Sequence, residues 1–384
     1  MNNEYYNSFL ESSKSVIKGN TSSGSYALKN VDASPLPQSS PVLKQLASSL
    51  ARSIDNVDEE LARFEKNYSS SSNSIFWASD YNDVFVYLKK IIKSQKARSV
   101  RLPNINSSTI FRELGIKYFL NDEKMVLSDD ADIQFFAVDM MFSDTGSLLL
   151  LNQSNNSFAK LTNSSTNIFF ATIDRICSSS SWAEILQQVS TYNTGGSRQD
   201  MIVFKSSPNC NNYLFIIDNQ RTNLLRNSFL RQSLTCLHCG RCNDVCPVFQ
   251  SIGNEPYNNV FSGPWANITL PYLESFETYK HVAYACTLCG RCEQVCPLAL
   301  PLRNMNIHVR SVFLNEGYLD KDERRLVAVV RKMSLSRKKM NASRFLKRHL
   351  LVKYASSHLR KNRVMPELAK ESFNHSYKKK QGNA

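Results

Sequence analysis

The chain has 384 residues, 42% of them apolar, enough for two or three packed cores. No run reaches about 18 consecutive apolar residues, so no transmembrane helix is readable. The start, MNNEYYNSFLESSKSVIKG, lacks the basic stretch and apolar run of a secretory signal. The formal charge of +14 is carried by residues 331–384, where sixteen Lys and Arg face Glu367 and Glu371.

Residues 1–41 are polar and rich in Ser and Asn, ending in SPLPQSSP, and read as a flexible N-terminal arm. From Pro41 a helical spacing of Leu, Val and Phe runs to Tyr68. Short apolar strands then alternate with helices. SIFWAS (74–79), ARSVRLP (97–103), IQFFAVDMMFS and TGSLLLLN (133–152), NIFFATIDRI (167–176) and NYLFIIDN (212–219) read as strands. YNDVFVYLKKIIKS (81–94), SSTIFRELGI (107–116) and SSWAEILQQVSTY (180–192) read as helices. This alternation predicts an α/β domain over 42–221 with a largely parallel or mixed sheet. After Asn219 the strands stop. RTNLLRNSFLRQSL predicts a helix, residues 222–330 a helical domain, and 331–384 a basic helical tail broken at Pro366.

Eight of the ten cysteines form an internal repeat. CLHCGRCNDVCPV occupies 236–248 and CTLCGRCEQVCPL occupies 286–298, so each cysteine recurs 50 residues later. Each run is C-x2-C-x2-C-x3-C-P, the bacterial pattern for a [4Fe–4S] cluster. A cubane presents four iron corners, each wanting one soft thiolate. Three cysteines at i, i+3 and i+6 wrap one face, and the fourth ligates the other cluster in two-cluster proteins. The expected ligands are Cys236, Cys239, Cys242 and Cys296 for one cluster. Cys286, Cys289, Cys292 and Cys246 are those for the second. Gly240 and Gly290 allow tight turning, and Pro247 and Pro297 each stand where a helix could start. The 39 residues between Cys246 and Cys286 leave room for helices. The alternatives are two zinc sites, which more commonly use paired C-x2-C, or clusters with a structural role alone.

Other residues carry weaker signals. Cys177 follows a strand and reads as a small buried side chain, and Cys210 falls in a loop. His238, inside the first run, is a candidate to tune a cluster by hydrogen bonding. Arg241 and Arg291 recur at one position of both runs and could offset cluster charge, meet a partner, or simply face solvent. No G-x-G-x-x-G or P-loop is present among only twelve glycines, and no His–carboxylate group reads as catalytic. Two clusters at about −2 each would lower the net charge to roughly +10. The basic tail admits an acidic partner, an anionic membrane surface, nucleic acid or plain solvation. No base-reading motif accompanies it, which weakens a DNA-binding reading.

The combination resembles the lactate utilization protein B family, which joins a LUD domain to a ferredoxin-type domain. The matching stretches are FSDTGSLLLLN (142–152), YLFIIDNQRTNLL (213–225), TCLHCGRCNDVCPVFQSIG (235–253), YNNVFSGPW (257–265), ACTLCGRCEQVCPLALPL (285–302) and MPELAKESFNHSYKKK (365–380). The resemblance implies an α/β fold like that of sugar-phosphate isomerases and CoA-transferases. It implies an electron-transfer subunit with two [4Fe–4S] clusters in a three-protein system oxidising L-lactate to pyruvate. Its partners would be a cysteine-rich oxidoreductase subunit and a second LUD protein, with a quinone or another carrier as acceptor. A subunit of a glycolate- or heterodisulfide-linked oxidoreductase is the alternative. The expected location is the cytoplasm, with peripheral contact at the inner membrane face through the tail. The sequence departs from the family where Lys-Ser-Met becomes ARSV (97–100) and Glu-Thr-Gly becomes Asp144-Thr145-Gly146. Those three residues could line a small-molecule site or form a tight turn between strands.

Overall fold

The computed structural model describes residues 8–9, 11–13, 40–69, 72–102, 109–128, 131–151, 161, 165–190, 200–206, 210–318, 321–336 and 373–381. Met1–Tyr318 and Leu319–Ala384 are two compact units.

Pro41 occupies the first turn of a helix that ends at Asp55, and a second helix runs Val57–Tyr68. The spacing predicted one helix. It divides at Asn56, whose side-chain amide donates to the Arg52 carbonyl at 2.9 Å and so competes with the helical ladder. Leu43, Leu46, Leu50, Ile54, Phe64 and Tyr68 still bury one continuous stripe.

Ten strands follow among the described residues: β1 (Asn73–Ala78), β2 (Ser99–Arg101), β3 (Val126–Leu127), β4 (Ile133–Ala137), β5 (Met140–Phe142), β6 (Ser147–Leu151), β7 (Thr166–Thr172), β8 (Ile176–Cys177), β9 (Met201–Phe204) and β10 (Asn211–Ile217). Six of them form a parallel sheet in the order β1-β10-β7-β4-β2-β3. The other four form a mixed sheet, β8-β5-β6-β9, in which β5–β6 and β6–β9 are antiparallel. The helix Tyr81–Ser94 starts at its predicted residue because Asp80 accepts from the backbone N–H of Asn82 (2.8 Å) and Asp83 (3.1 Å). Its Val84 and Leu88 pack with Phe111, Phe135, Ile168, Phe170 and Phe215 on one face of the large sheet. On the other face Phe169 stacks with Phe136 (5.3 Å) and with Phe204 of the small sheet (5.2 Å). Burial on both faces explains why these strands read as unbroken apolar runs.

Two predicted strands turn out to be two strands each. IQFFAVDMMFS leaves the large sheet at Ala137 and enters the small one at Met140; NIFFATIDRI does the same between Thr172 and Ile176. At the second break stand Asp174 and Arg175, whose charges cannot continue an apolar strand. NYLFIIDN is the last strand, as read, but β9 and the two-residue β3 were not anticipated.

A polar row crosses the large sheet in register: Arg101, Gln134, Asn167, Asn212 and Asn73, all buried. The three asparagines bond in series, Asn167 Nδ2 to Asn212 Oδ1 and Asn212 Nδ2 to Asn73 Oδ1, both at 3.0 Å. Such paired amides fix strand register, because a slip of one residue would bury unpaired groups.

Among the described residues no strand follows Ile217. The expected helix over RTNLLRNSFLRQSL is instead a short helix, Arg221–Leu225, and a 3₁₀ turn, Arg231–Thr235. Asn227 causes the break, its Oδ1 accepting from the N–H of Phe229 (3.1 Å) and Leu230 (3.0 Å). The central helix of this region is Gly263–Leu273, buried along its whole length. Within the arm read as loose, Phe9 is buried against the rings of His281 (4.9 Å) and Tyr257 (5.9 Å). In the second unit the helices Lys321–Ser334 and Phe373–Gln381 are described. The predicted break at Pro366 lies outside the described residues.

Candidate functional site

The two cysteine runs fold into matching loops. In each, the third and fifth residues take left-handed backbone: His238 (φ 51°) and Gly240 (75°), Leu288 (58°) and Gly290 (76°). For the two non-glycines this costs on the order of 1 kcal/mol each. The turn aims backbone N–H groups at sulfur. His238 N donates to Cys236 Sγ at 3.4 Å, and Leu288 N donates to Cys286 Sγ at 3.3 Å. Short helices follow, Arg241–Val245 and Arg291–Val295, and they pack on each other.

The fourth cysteines differ. Cys246 caps the helix Pro247–Ile252, its Sγ accepting from Phe249 N at 3.5 Å, with Pro247 in the first turn as expected. Pro297 opens no helix, contrary to the sequence reading. Ala299 adopts φ 52° instead, its N–H donates to the Cys296 carbonyl at 3.0 Å, and the next helix starts at Leu302.

The fold brings the sulfurs together in a crossed pattern. Burial pushes the Cys236 thiol up, and Cys239 and Cys296 beside it push it further. Burial raises Cys239 to about 11, with Cys296 adding to it. Cys242 is driven well up by burial and then by Cys236, Cys239, Cys296 and Cys292. Cys246 is raised by burial and by Cys286 and Cys289; Cys292 is raised to about 12 by burial, Cys286 and Cys246. Cys246, Cys286, Cys289 and Cys292 line one cavity with Asn267 and Arg303. Cys242 and Cys292 place the two groups side by side.

This donor set fits a pair of iron–sulfur cubanes. Each group offers four soft sulfurs, with backbone N–H groups already turned toward several of them. None of the ten cysteines is in a disulfide. Thiols desolvated this strongly hold their protons at neutral pH until a metal replaces them. Among the described residues no three Cys, His, Asp or Glu stand close enough to hold one metal ion. A cubane spreads its thiolates further apart than a lone tetrahedral ion does.

The framing residues follow from the sequence stretches singled out above. Gly263 has φ 79°, and a Cβ there would meet Asn243 Oδ1 at 2.0 Å. The glycine of SGP therefore lets the central helix close onto the first cysteine loop. Trp265 of that helix donates Nε1–H to the Ser233 carbonyl at 2.8 Å and packs on the His238 ring at 4.5 Å. Burial, with Arg175 adding to it and Asp174 opposing, pushes His238 well below the ordinary histidine range, so its ring is neutral. Arg241 is buried beside Cys239 and Cys296, whereas Arg291 is exposed. The two repeated arginines are not equivalent.

The Asp218-Asn219-Gln220-Arg221 segment ends β10 in a buried ion network. Arg221 Nε meets Asp174 Oδ1 at 2.8 Å and its Nη2 meets Glu113 Oε2 at 3.2 Å. Arg175 lies 3.6 Å from Asp174 and donates Nη1–H to the Cys236 carbonyl at 2.9 Å. The network thus joins the carboxyl ends of β7 and β10 to the first cysteine loop. Neither Arg175 nor Arg310, which holds the Cys286 carbonyl at 2.7 Å, was picked out from sequence. The signal for Arg175 was the charged Asp-Arg pair inside an apolar run; Arg310 carries none.

The Asp144-Thr145-Gly146 segment is a tight turn joining β5 to β6. Gly146 has φ 64°, and a Cβ would meet the Asn67 carbonyl carbon at 2.4 Å. The Asp144 carboxylate accepts from Ser180 N at 2.9 Å and Ser180 Oγ at 3.1 Å. Its contacts are structural. Cys177 and Cys210 are buried, bonding the Ser179 and Leu161 carbonyls.

Comparison with known proteins adds the following. The 4Fe-4S dicluster domain family matches residues 232–300. Lactate utilization protein B of Bacillus subtilis strain 168 is 30% identical over 198 residues, 49% of this chain and 41% of that one. The Bacillus licheniformis protein of the same name matches at 30% over the same shares. This chain therefore spans less than half the length of these relatives. A DUF162 family protein from Deinococcus radiodurans aligns in structure with 42% of this chain and 98% of its own, at 15% identity and a TM-score of 0.31. Residues 232–300 thus match a 4Fe-4S dicluster domain, within a chain similar across 49% of its length to lactate utilization protein B.

Proposed function

We propose that the chain is the iron–sulfur electron-transfer subunit of an L-lactate-oxidising system. In this reading Cys236, Cys239, Cys242 and Cys296 hold one [4Fe–4S] cluster and Cys286, Cys289, Cys292 and Cys246 hold the other. The observation that carries it is the crossed gathering of the eight sulfurs into two neighbouring groups. When bound, each cluster exchanges one electron, so two match the two electrons that lactate yields, with two protons, on becoming pyruvate. The chain's own part is to present thiolates, turn N–H groups onto them and exclude water through the buried helix Gly263–Leu273.

The similarity to lactate utilization protein B supports the substrate and, by extension, a cysteine-rich oxidoreductase and a second LUD protein as partners. The division into a LUD-like domain over 42–221 and a ferredoxin-type domain over 222–330 belongs to the same proposal. So does a cytoplasmic location with the tail against an anionic membrane. Among the described residues no helix is long and apolar enough to cross a membrane.

The test is electron paramagnetic resonance on the anaerobically isolated complex before and after L-lactate. A reduced-cluster signal that appears with lactate supports both clusters and donor. A signal with dithionite alone, all partners being present, keeps the carrier and rejects lactate. No signal and no bound iron rejects the proposal.

A further inference from the structure

The cysteine loops share a feature that comes from outside the repeat. The first cysteine of each has its carbonyl held by a distant arginine: Cys236 O by Arg175 Nη1 at 2.9 Å, Cys286 O by Arg310 Nη2 at 2.7 Å. The two arginines are unrelated in sequence. Arg175 lies between β7 and β8 in the α/β part; Arg310 lies on the helix Leu302–Asn315. Arg310 also donates Nε–H and Nη2–H to the Ala283 carbonyl at 3.0 and 2.8 Å, and its guanidinium lies 5.0 Å from the Tyr284 ring. No carboxylate pairs with Arg310 among the described residues. Arg175 has Asp174 at 3.6 Å, but that carboxylate is bonded more closely to Arg221, at 2.8 Å. Arg310 thus keeps its charge at its loop, while Arg175 shares its charge between Asp174 and its loop.

We propose that Arg175 and Arg310 are matched positioning residues, each fixing the first cysteine of one loop and raising the reduction potential of the cluster held there. The inference rests on the cluster reading above. A planar peptide whose carbonyl is pinned by a charged donor cannot rotate, so the cysteine Cα–Cβ direction is set before metal arrives. Reduction adds one negative charge to the cluster, and a cation fixed beside a ligand favours the reduced form. Because Arg175 comes from the α/β part, the potential of the Cys236–Cys239–Cys242–Cys296 cluster depends on that part. The potential of the other cluster does not.

The test is potentiometric titration of the purified holoprotein, followed by electron paramagnetic resonance, with iron and sulfide measured alongside. Arg175→Gln should move one of the two midpoints to more negative potential, and Arg310→Gln should move the other. Arg175→Lys and Arg310→Lys, which keep the charge and lose the forked geometry, should give smaller shifts of the same midpoints. They carry the test if a glutamine variant does not fold. The inference is overturned if both variants move the same midpoint, or both midpoints equally, or neither. Absence of iron from the wild-type protein after anaerobic reconstitution would instead reject the cluster reading.

Discussion

Replacing Arg221 by methionine removes the cation from the buried network at the ends of β7 and β10. Arg221, Asp174 and Glu113 are 4%, 2% and 10% exposed at the side chain. Burial alone would raise the Asp174 carboxyl, but Arg175 and Arg221 outweigh it and hold it below the usual range. Without Arg221, Glu113 loses its cation and keeps the Asn219 amide at 3.4 Å, and Asp174 is left with Arg175 at 3.6 Å and the Thr172 side chain. Breaking a buried ion pair on one side costs about 3–5 kcal/mol. For a unit of this size that lowers the melting temperature by on the order of 5–10 °C. The assay is thermal unfolding of the anaerobic holoprotein followed by circular dichroism. Combining Arg221→Met with Asp174→Asn and Glu113→Gln should recover part of the loss, because neither carboxylate is then stranded, while Arg175 keeps only the Cys236 carbonyl. The reasoning is refuted if the single variant unfolds within about 1 kcal/mol of wild type, or if the triple variant is worse than the single one.

In the crossed arrangement Cys236→Ser and Cys296→Ser should each lower iron from about eight to about four per chain and leave the same residual spectrum. Cys246→Ser and Cys286→Ser should share the other spectrum; a match between Cys236→Ser and Cys246→Ser would rule the crossing out. Gly146→Ala combines a left-handed backbone penalty with a 2.4 Å clash against Asn67, so the urea midpoint should fall by the equivalent of more than about 2 kcal/mol, and an unchanged midpoint would contradict the close approach. Burial, with Lys280 adding to it, pushes His281 down to about 4. Its folded value is below the unfolded one, so the neutral ring contributes stability above about pH 6.5 that is lost as pH falls toward 4. In His281→Phe that part of the acid loss should vanish from pH-dependent melting curves; retention of the full loss would place its origin elsewhere.

The local features of this molecule were legible in its sequence. The helix 81–94 was read at its observed bounds, and the spacing of Cys236 to Cys246 and of Cys286 to Cys296 marked two loops that fold alike. What escaped notice depends on partners far along the chain. The run 133–143 is apolar on both sides of Asp139, so its halves read as one strand, although Asp139 marks the break at which they pass to different sheets. Asn227 breaks a helix through its own side chain, a competition that apolar spacing does not register. Arg310 finds the Cys286 carbonyl only once the helices have packed. Arg241 and Arg291 occupy the same repeat position with opposite exposure, because the repeat meets different neighbours at its two ends.

The proposed crossing of the fourth cysteines also bears on biosynthesis. A nascent chain that has released the first run exposes three closely spaced thiols whose completing ligand, Cys296, is still about 50 residues from being made. The second group is completed from behind by Cys246, at nearly the same moment. Neither site can therefore mature early. On that assignment a product truncated anywhere between the runs would complete neither quartet, so quality control over this chain would reduce to a single all-or-none event near residue 296.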